Sequence, residues 1–321
     1  MKVAVIGAGT FGTALANAVN KENEIILFAR NPTIIQNINT TRKNLTYFPT
    51  KVLSKQIIAS NNVDDIIDAD LLFLCIPSYT VIDFVSKISL SPKTVIVNGA
   101  KGFGIGSKFI PESLNEILPN EVASMKGPSF ANEMIFDIPT AFTIASKNKS
   151  NFSLVPSAFR RELIIVDYTT DIIGTEFLSI IKNIYAIIVG IVDASFNSSN
   201  VRFLIFTKAL HEMKRLLNLF NVCEETIFCY AGIGDFGLTA LNDLSRNRTL
   251  GLLIGKGFFN RDVNNMVVLE GVRAIDNVIN KIPQEAQGEL HLLMSLSNLF
   301  EGKISVKEFI NKVIYQEYKM D

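Results

Sequence analysis

Lys2-Val-Ala-Val-Ile-Gly7-Ala-Gly9-Thr-Phe-Gly12-Thr-Ala-Leu-Ala16 decides how this chain begins to fold. An apolar, β-branched run from Val3 to Ile6 breaks into three glycines spaced G-x-G-x-x-G, then into small helix formers from Thr13 to Ala18. That pattern predicts a strand, a tight turn and a helix. In such a unit Gly7 permits the turn, Gly9 lets a pyrophosphate approach the backbone, and Gly12 lets the helix pack closely on the strand. The helix N-terminus adds unpaired N–H donors and a positive dipole end for phosphates. A glycine-rich turn with no ligand is the plainer reading of the triplet alone. The strand before it and the Ala-rich helix after it favour a dinucleotide, with Thr10 and Phe11 inside the turn.

Residues 24–29 read as a second strand that ends at Arg30-Asn31-Pro32. A site for NAD usually places Asp or Glu at this strand end to hold the ribose 2′-hydroxyl. Arg30 stands there instead. Two readings compete, a solvated arginine at a strand end or a guanidinium paired with a 2′-phosphate, and the second favours NADP over NAD. After an irregular polar stretch around Tyr47-Phe48-Pro49, short apolar runs at 56–59, 71–76, 94–97, 122–125 and 141–145 predict further strands, and 163–166 can close the sheet. Near-continuous apolar runs indicate a parallel sheet buried on both faces. A helix is expected over 79–88, and Pro77-Ser78 stands where open α/β sheets place ligand loops.

The texture changes near Asp171. Stretches of helical period cover 175–193, 201–220, 245–256, 267–280 and 287–299. The expected fold is therefore α/β: an N-terminal Rossmann-type, mostly parallel sheet over 1–170 and a C-terminal all-α domain over 171–321. A chain of 321 residues is long enough for two such cores.

Lysine plus arginine balances aspartate plus glutamate at 31 each, so no global field draws nucleic acid or an anionic membrane surface. No apolar run reaches the roughly 18 residues of a spanning helix; Lys182 and Asn183 interrupt the longest, Ile180 to Val192. Cys75, Cys223 and Cys229 form no C-x-x-C pair and read as reduced thiols of a cytoplasmic protein, with Cys75 in a buried strand. His211 and His291 lie far apart, so a histidine-based metal site is not expected, and both read as ordinary helical residues. A homodimer is admitted but not specified.

Several segments carry chemistry. Asn98-Gly-Ala-Lys101-Gly102 and Lys126-Gly127-Pro128-Ser129-Phe130-Ala131-Asn132-Glu133 each follow a strand. Lys182 interrupts a strongly apolar helical stretch, so it either points into a cleft or snorkels at a helix edge. Ser245-Arg246-Asn247 has the composition of a helix N-cap, which serves either as an anion site or as an ordinary helix start. Together with the glycine turn, Lys182-Asn183, Asn200-Val-Arg202, Gly232-Ile-Gly-Asp235, Leu244-Ser-Arg-Asn247 and Glu270-Gly271-Val272, these segments give a chain that resembles the bacterial NAD(P)-dependent sn-glycerol-3-phosphate dehydrogenases.

That resemblance implies hydride transfer between NAD(P)H and C2 of dihydroxyacetone phosphate, giving sn-glycerol 3-phosphate, a phospholipid precursor. It makes Lys182 the proton donor, its pKa lowered by burial and by a second cation such as Lys101. It makes Lys101, Gly127, Ser129, Lys182, Asp235, Ser245, Arg246 and Asn247 substrate contacts. Gly7, Gly9, Thr10, Phe11, Gly12, Arg30, Lys101, Ala131, Arg246, Val268 and Glu270 become cofactor contacts. Asp235 beside lysines reads equally as a structural ion pair. The chain departs from the family pattern at Ser179-Ile-Ile before Lys182, at Lys126 in place of serine (a cation near the substrate), at Ser198-Ser199, at Lys208 and around Ile282-Pro283. Two other readings are a ketopantoate-reductase-like dehydrogenase and an NADP-binding sensor with impaired catalysis.

Overall fold

The computed structural model describes residues 1–258 and 270–316. The chain divides into two compact units, Met1–Glu176 and Phe177–Asp321. The first is built on eight strands: β1 (Lys2–Ile6), β2 (Glu24–Phe28), β3 (Ile57–Ser60), β4 (Leu71–Leu74), β5 (Val95–Asn98), β6 (Val122–Lys126), β7 (Thr140–Ala145) and β8 (Ile164–Thr169). They form one sheet in the order β3-β2-β1-β4-β5-β6-β7-β8. Every neighbouring pair is parallel except β6 with β7. Strand order reverses between β1 and β4, the switch point at which doubly wound sheets open a ligand crevice.

Both faces of the sheet are covered. Val3, Val5, Leu71 and Phe73 belong to one buried cluster, while their neighbours Ala4, Ile6, Leu72 and Leu74 belong to another. The period-two alternation of a strand thus supplies two cores from one apolar run. Helices α1 (Thr10–Ala18), α2 (Pro32–Thr41), α3 (Ser78–Val85), α4 (Ile110–Ile117), α5 (Ala131–Met134) and α6 (Asn151–Ser157) connect the strands. The stretch around Tyr47-Phe48-Pro49 is irregular as expected, but α2 precedes it, with Asn31 Oδ1 accepting from the Thr33 N–H at 2.9 Å and Pro32 in the first turn. The helix is largely polar, but Ile34 and Ile38 bury one face of it.

The second unit is helical. The helix α7 (Ile172–Phe196) runs into it, followed by α8 (Ser199–Leu219), α9 (Asp235–Leu241), α10 (Arg246–Gly255), α11 (Glu270–Ile279), α12 (His291–Phe300) and α13 (Val306–Tyr315). By length and composition α7 is apolar enough to cross a membrane although Lys182 and Asn183 interrupt its longest apolar run; 94% of its most apolar window is buried within the protein. The single period read over 287–299 is split, with Leu290 separating a 3-10 segment over Gln284–Glu289 from α12. Asp235 opens a helix rather than ending a loop. Residues 267–269 of the expected 267–280 helix lie outside the described residues.

Close helix packing in this unit rests on glycines. A Cβ on Gly190 would meet the Arg248 carbonyl oxygen at 2.4 Å, and one on Gly251 would meet that of Ile187 at 2.2 Å. Only backbone-to-backbone approach allows α7 and α10 to come this near.

Candidate active site

In the sheet unit the glycine turn behaves as its spacing predicts. Gly7 has φ of +110°, and a Cβ there would lie 2.7 Å from the Cys75 carbonyl oxygen. A Cβ on Gly12 would lie 1.9 Å from the Gly7 carbonyl oxygen, so α1 packs directly on the turn. Gly9, the N-cap of α1, has no atom within 4 Å of a Cβ built on it and no side-chain cap. This leaves backbone open beside a helix N-terminus, the surface a pyrophosphate requires. Thr10 and Phe11 form the first turn of α1, and the Phe11 ring packs against Phe142 with centroids 6.3 Å apart.

Arg30 lies two residues beyond β2 and is exposed. Among the described residues it makes no hydrogen bond or ion pair. The Cys75 side chain does not sit within a strand as expected; it follows β4, and burial pushes its thiol up to about 12 despite the Lys126 charge. Lys101 stands three residues past β5, half-buried. Gly127 and Ser129 follow β6, with the Ser129 hydroxyl donating to the Gly127 carbonyl at 3.0 Å. Gly127 also has a packing reason of its own, since a Cβ would come within 2.3 Å of the Ala141 carbonyl oxygen. Ala131 opens α5.

Lys126 has its partners within the sheet unit: its side chain is fully buried, with Nζ donating to the Asn98 carbonyl at 3.1 Å and to the Ala100 carbonyl, and paired with Glu176 Oε1 at 3.1 Å.

In the helical unit Lys182 is buried at 3% exposure and its ammonium donates to Asp235 Oδ1 at 2.6 Å and to the Thr239 hydroxyl at 2.7 Å. Asp235 and Thr239 occupy one face of α9 at i and i+4. The close partner of Lys182 in this unit is thus a carboxylate, the ion pair that the sequence left open for Asp235. Thr239 was missed in the sequence, although its i+4 spacing from Asp235 was available as a signal. The departing residues Ser179, Ile180 and Ile181 are all buried on α7.

Ser245 caps α10, its hydroxyl accepting from the Arg248 N–H at 3.3 Å. Arg246 is exposed, and the Oδ1 atom of Asn247 is buried with no hydrogen-bond partner among the described residues. An orphaned acceptor of this kind fits a ligand hydroxyl. Arg248 and Arg202 converge on Asp193, with Arg202 Nη2 2.8 Å from Oδ1 and Arg248 Nη2 2.5 Å from Oδ2. Burial disfavours the Asp193 carboxylate, but the hydrogen bonds and charges of the two arginines outweigh it and hold its pKa below the usual carboxylate range. Arg248 also reaches Asp243 and the Ala240 carbonyl. This triad ties α7, α8 and the start of α10 together; the sequence reading passed over Asp193 and Arg248. Val268 and the Glu270 side chain lie outside the described residues. Among the described residues, no cluster of His, Cys, Asp and Glu could hold a metal.

A glycine turn at the switch point of one unit and a buried lysine in the other are what a dehydrogenase of this kind needs, and comparison with known proteins decides the family. Residues 2–152 match the N-terminal model of NAD-dependent glycerol-3-phosphate dehydrogenase, and residues 171–311 match its C-terminal model. The chain belongs to this family. The glycerol-3-phosphate dehydrogenase [NAD(P)+] of Ehrlichia chaffeensis is 32% identical over 98% of this chain and 100% of its own length. That of Citrifermentans bemidjiense is 30% identical over 100% of this chain and 98% of its own. The crystal structure of glycerol-3-phosphate dehydrogenase from Coxiella burnetii superimposes with a TM-score of 0.86 at 26% identity, covering 98% of this chain and 99% of that one. Family membership makes this an NAD(P)-dependent oxidoreductase with a Rossmann-type first half. It also disfavours the ketopantoate-reductase reading, because the helical half matches its own family model.

Proposed function

We propose that this glycerol-3-phosphate dehydrogenase family member reduces dihydroxyacetone phosphate reversibly to sn-glycerol 3-phosphate, in the cytoplasm and in support of phospholipid synthesis. The observation that carries the reading is that both halves match the family over nearly the whole chain. In this reading residues 1–170 bind the dinucleotide and residues 171–321 bind substrate and supply the proton.

Gly7, Gly9, Thr10, Phe11 and Gly12 would hold the pyrophosphate, with Arg30 on a 2′-phosphate, so NADP is preferred to NAD. Ala131, Val268 and Glu270 would contact the rest of the dinucleotide, which supplies or accepts the hydride at C2 when bound. Lys101, Gly127 and Ser129 would orient the substrate from the sheet unit. Ser245, Arg246 and Asn247 would meet its phosphate, where a helix N-terminus and a guanidinium favour an anion, and Arg246 would also reach the cofactor. The Lys182 ammonium would give its proton to the ketone oxygen at Nζ. Asp235 and Thr239 hold Nζ in place, so no rotamer search precedes the transfer.

The deciding experiment follows NADPH absorbance with dihydroxyacetone phosphate, beside NADH and a control without substrate. Substrate-dependent loss, faster with NADPH, is expected. NADPH binding without turnover on any phosphorylated ketone would overturn the enzyme reading in favour of a sensor, for which the buried bulk of Ile180 and Ile181 beside Lys182 is the motive.

A further inference from the structure

Lys126 takes no part in the reaction as read above, yet it is a buried cation with a specific set of acceptors. Its Nζ bridges two carbonyls of one loop, Asn98 at 3.1 Å and Ala100. The charge is balanced by Glu176 at 3.1 Å, and both side chains are 0% exposed. Glu176 Oε1 in turn accepts from Asn98 Nδ2 at 2.9 Å and from the Ser124 hydroxyl at 2.5 Å. The loop is closed on itself by the Ala100 N–H, which donates to Asn98 Oδ1 at 3.1 Å.

We propose that Lys126 is a positioning residue that locks the Asn98–Ala100 loop, and thereby the backbone carrying Lys101, in the orientation needed to bind a phosphorylated ketone. The inference rests on the reading of Lys101 as a substrate contact. The Ala100 carbonyl belongs to the same rigid peptide plane as the Lys101 nitrogen. Rotating that plane swings the Lys101 side chain, and an ammonium fixed on the carbonyl prevents the rotation. The Asn98 carbonyl belongs to the Asn98–Gly99 peptide, so one ammonium pins the first and the last of the three peptide planes between Asn98 and Lys101. Lys126 also ends β6 and directly precedes Gly127-Pro128-Ser129, so it links the two loops of this unit that are read as substrate contacts. Stability alone gives little reason for the arrangement: a buried ion pair is often matched or bettered by apolar residues of the same volume, and the neighbours Ala123 and Met125 are buried and apolar. What an apolar side chain could not do is hold the two carbonyls.

The test uses the full chain and removes both charges together, because Lys126→Met alone would strand Glu176. In Lys126→Met/Glu176→Gln the KM for dihydroxyacetone phosphate is expected to rise about ten- to hundredfold, with kcat and NADPH affinity little changed. Lys126→Gln/Glu176→Gln, which keeps two N–H donors for the carbonyls, is expected to recover most of the loss; it also serves if the methionine pair does not fold. The same pairs are then made in Lys101→Ala. If Lys126 acts through Lys101, they add nothing further there. Multiplicative effects with an impaired Lys101→Ala would overturn the positioning role alone. An unchanged KM in Lys101→Ala would overturn the Lys101 reading and the positioning role with it.

Discussion

Removing the Lys182 charge should separate activity from stability in a way that identifies what the lysine does. The side chains of Lys182 and Asp235 are 4% and 3% exposed, with Nζ and Oδ1 2.6 Å apart. Lys182→Met keeps the chain length but takes from Asp235 its buried ion-pair partner in a nearly dry site, and removing one member of a buried pair costs about 3–5 kcal/mol. A loss of that size lowers the melting transition by roughly 6–20 °C at about 2–4 °C per kcal/mol. Asp235→Asn added to Lys182→Met removes the stranded charge and leaves an amide that can bond to the Thr239 hydroxyl, so most of the lost stability should return. Activity should not return with it. Loss of a positioned proton donor lowers kcat by about 10²–10⁴-fold, and the double variant should remain there. Scanning calorimetry and NADPH-coupled turnover on both variants provide the comparison. Recovery of kcat alongside stability would refute the proton-donor role and make Lys182 a structural ion pair.

Gly9→Ala and Gly12→Ala should differ in kind. The first has open space and should keep the melting temperature while weakening the dinucleotide; the second drives a methyl into the Gly7 carbonyl and should destabilise the sheet unit. Dinucleotide titration beside thermal melts would show it, and equal behaviour would contradict the packing. Arg30→Ala should weaken NADPH by about 10–100-fold more than NADH, the value of a charge-assisted bond of about 1.5–3 kcal/mol; equal weakening in fluorescence titrations would remove the 2′-phosphate assignment. The Asp193 carboxylate has a depressed pKa in the folded chain, so its stabilisation is complete above the unfolded value of about 3.9 and is lost as pH falls through the folded one. Asp193→Asn should therefore be less stable at neutral pH, with a shallower acid-unfolding limb in denaturation curves. Cys75, with its thiol pushed up to about 12, should resist alkylation at neutral pH while exposed Cys223 reacts first, which mass-resolved labelling can order.

How much of this was legible in the sequence depends on whether the forces involved are local. The glycine turn was fully readable because each glycine answers to backbone sterics within a few residues. The strands were readable as apolar runs because both faces of the sheet are covered. The helix α2 was not, since Thr33, Asn37, Asn39 and Thr40 mask the two isoleucines that bury it. Around Lys182 the sequence could say that an ammonium in an apolar helix needs compensation and could offer Asp235 for an ion pair, but could not fix the pairing or add Thr239, since the two lie 53 and 57 positions away. The partners of Lys126 were hidden for a related reason. Two of its acceptors are backbone carbonyls, which every residue carries and no side-chain pattern reveals.

The longest helix also makes demands on the newborn chain. A segment apolar enough to enter a bilayer by length and composition must be kept from doing so, or from aggregating, until its cover exists. That cover includes Phe220, Phe236, Thr239 and Gly251, all encoded after it. From Phe196 to the end of α10 at Gly255 there are 59 residues, about 3–12 s of synthesis at roughly 5–20 residues per second. For those seconds Ile172–Phe196 is a greasy thread leaving the ribosome ahead of its own shelter. Holdase binding in this window should matter more to the yield of this protein than any step in the folding of the sheet that precedes it.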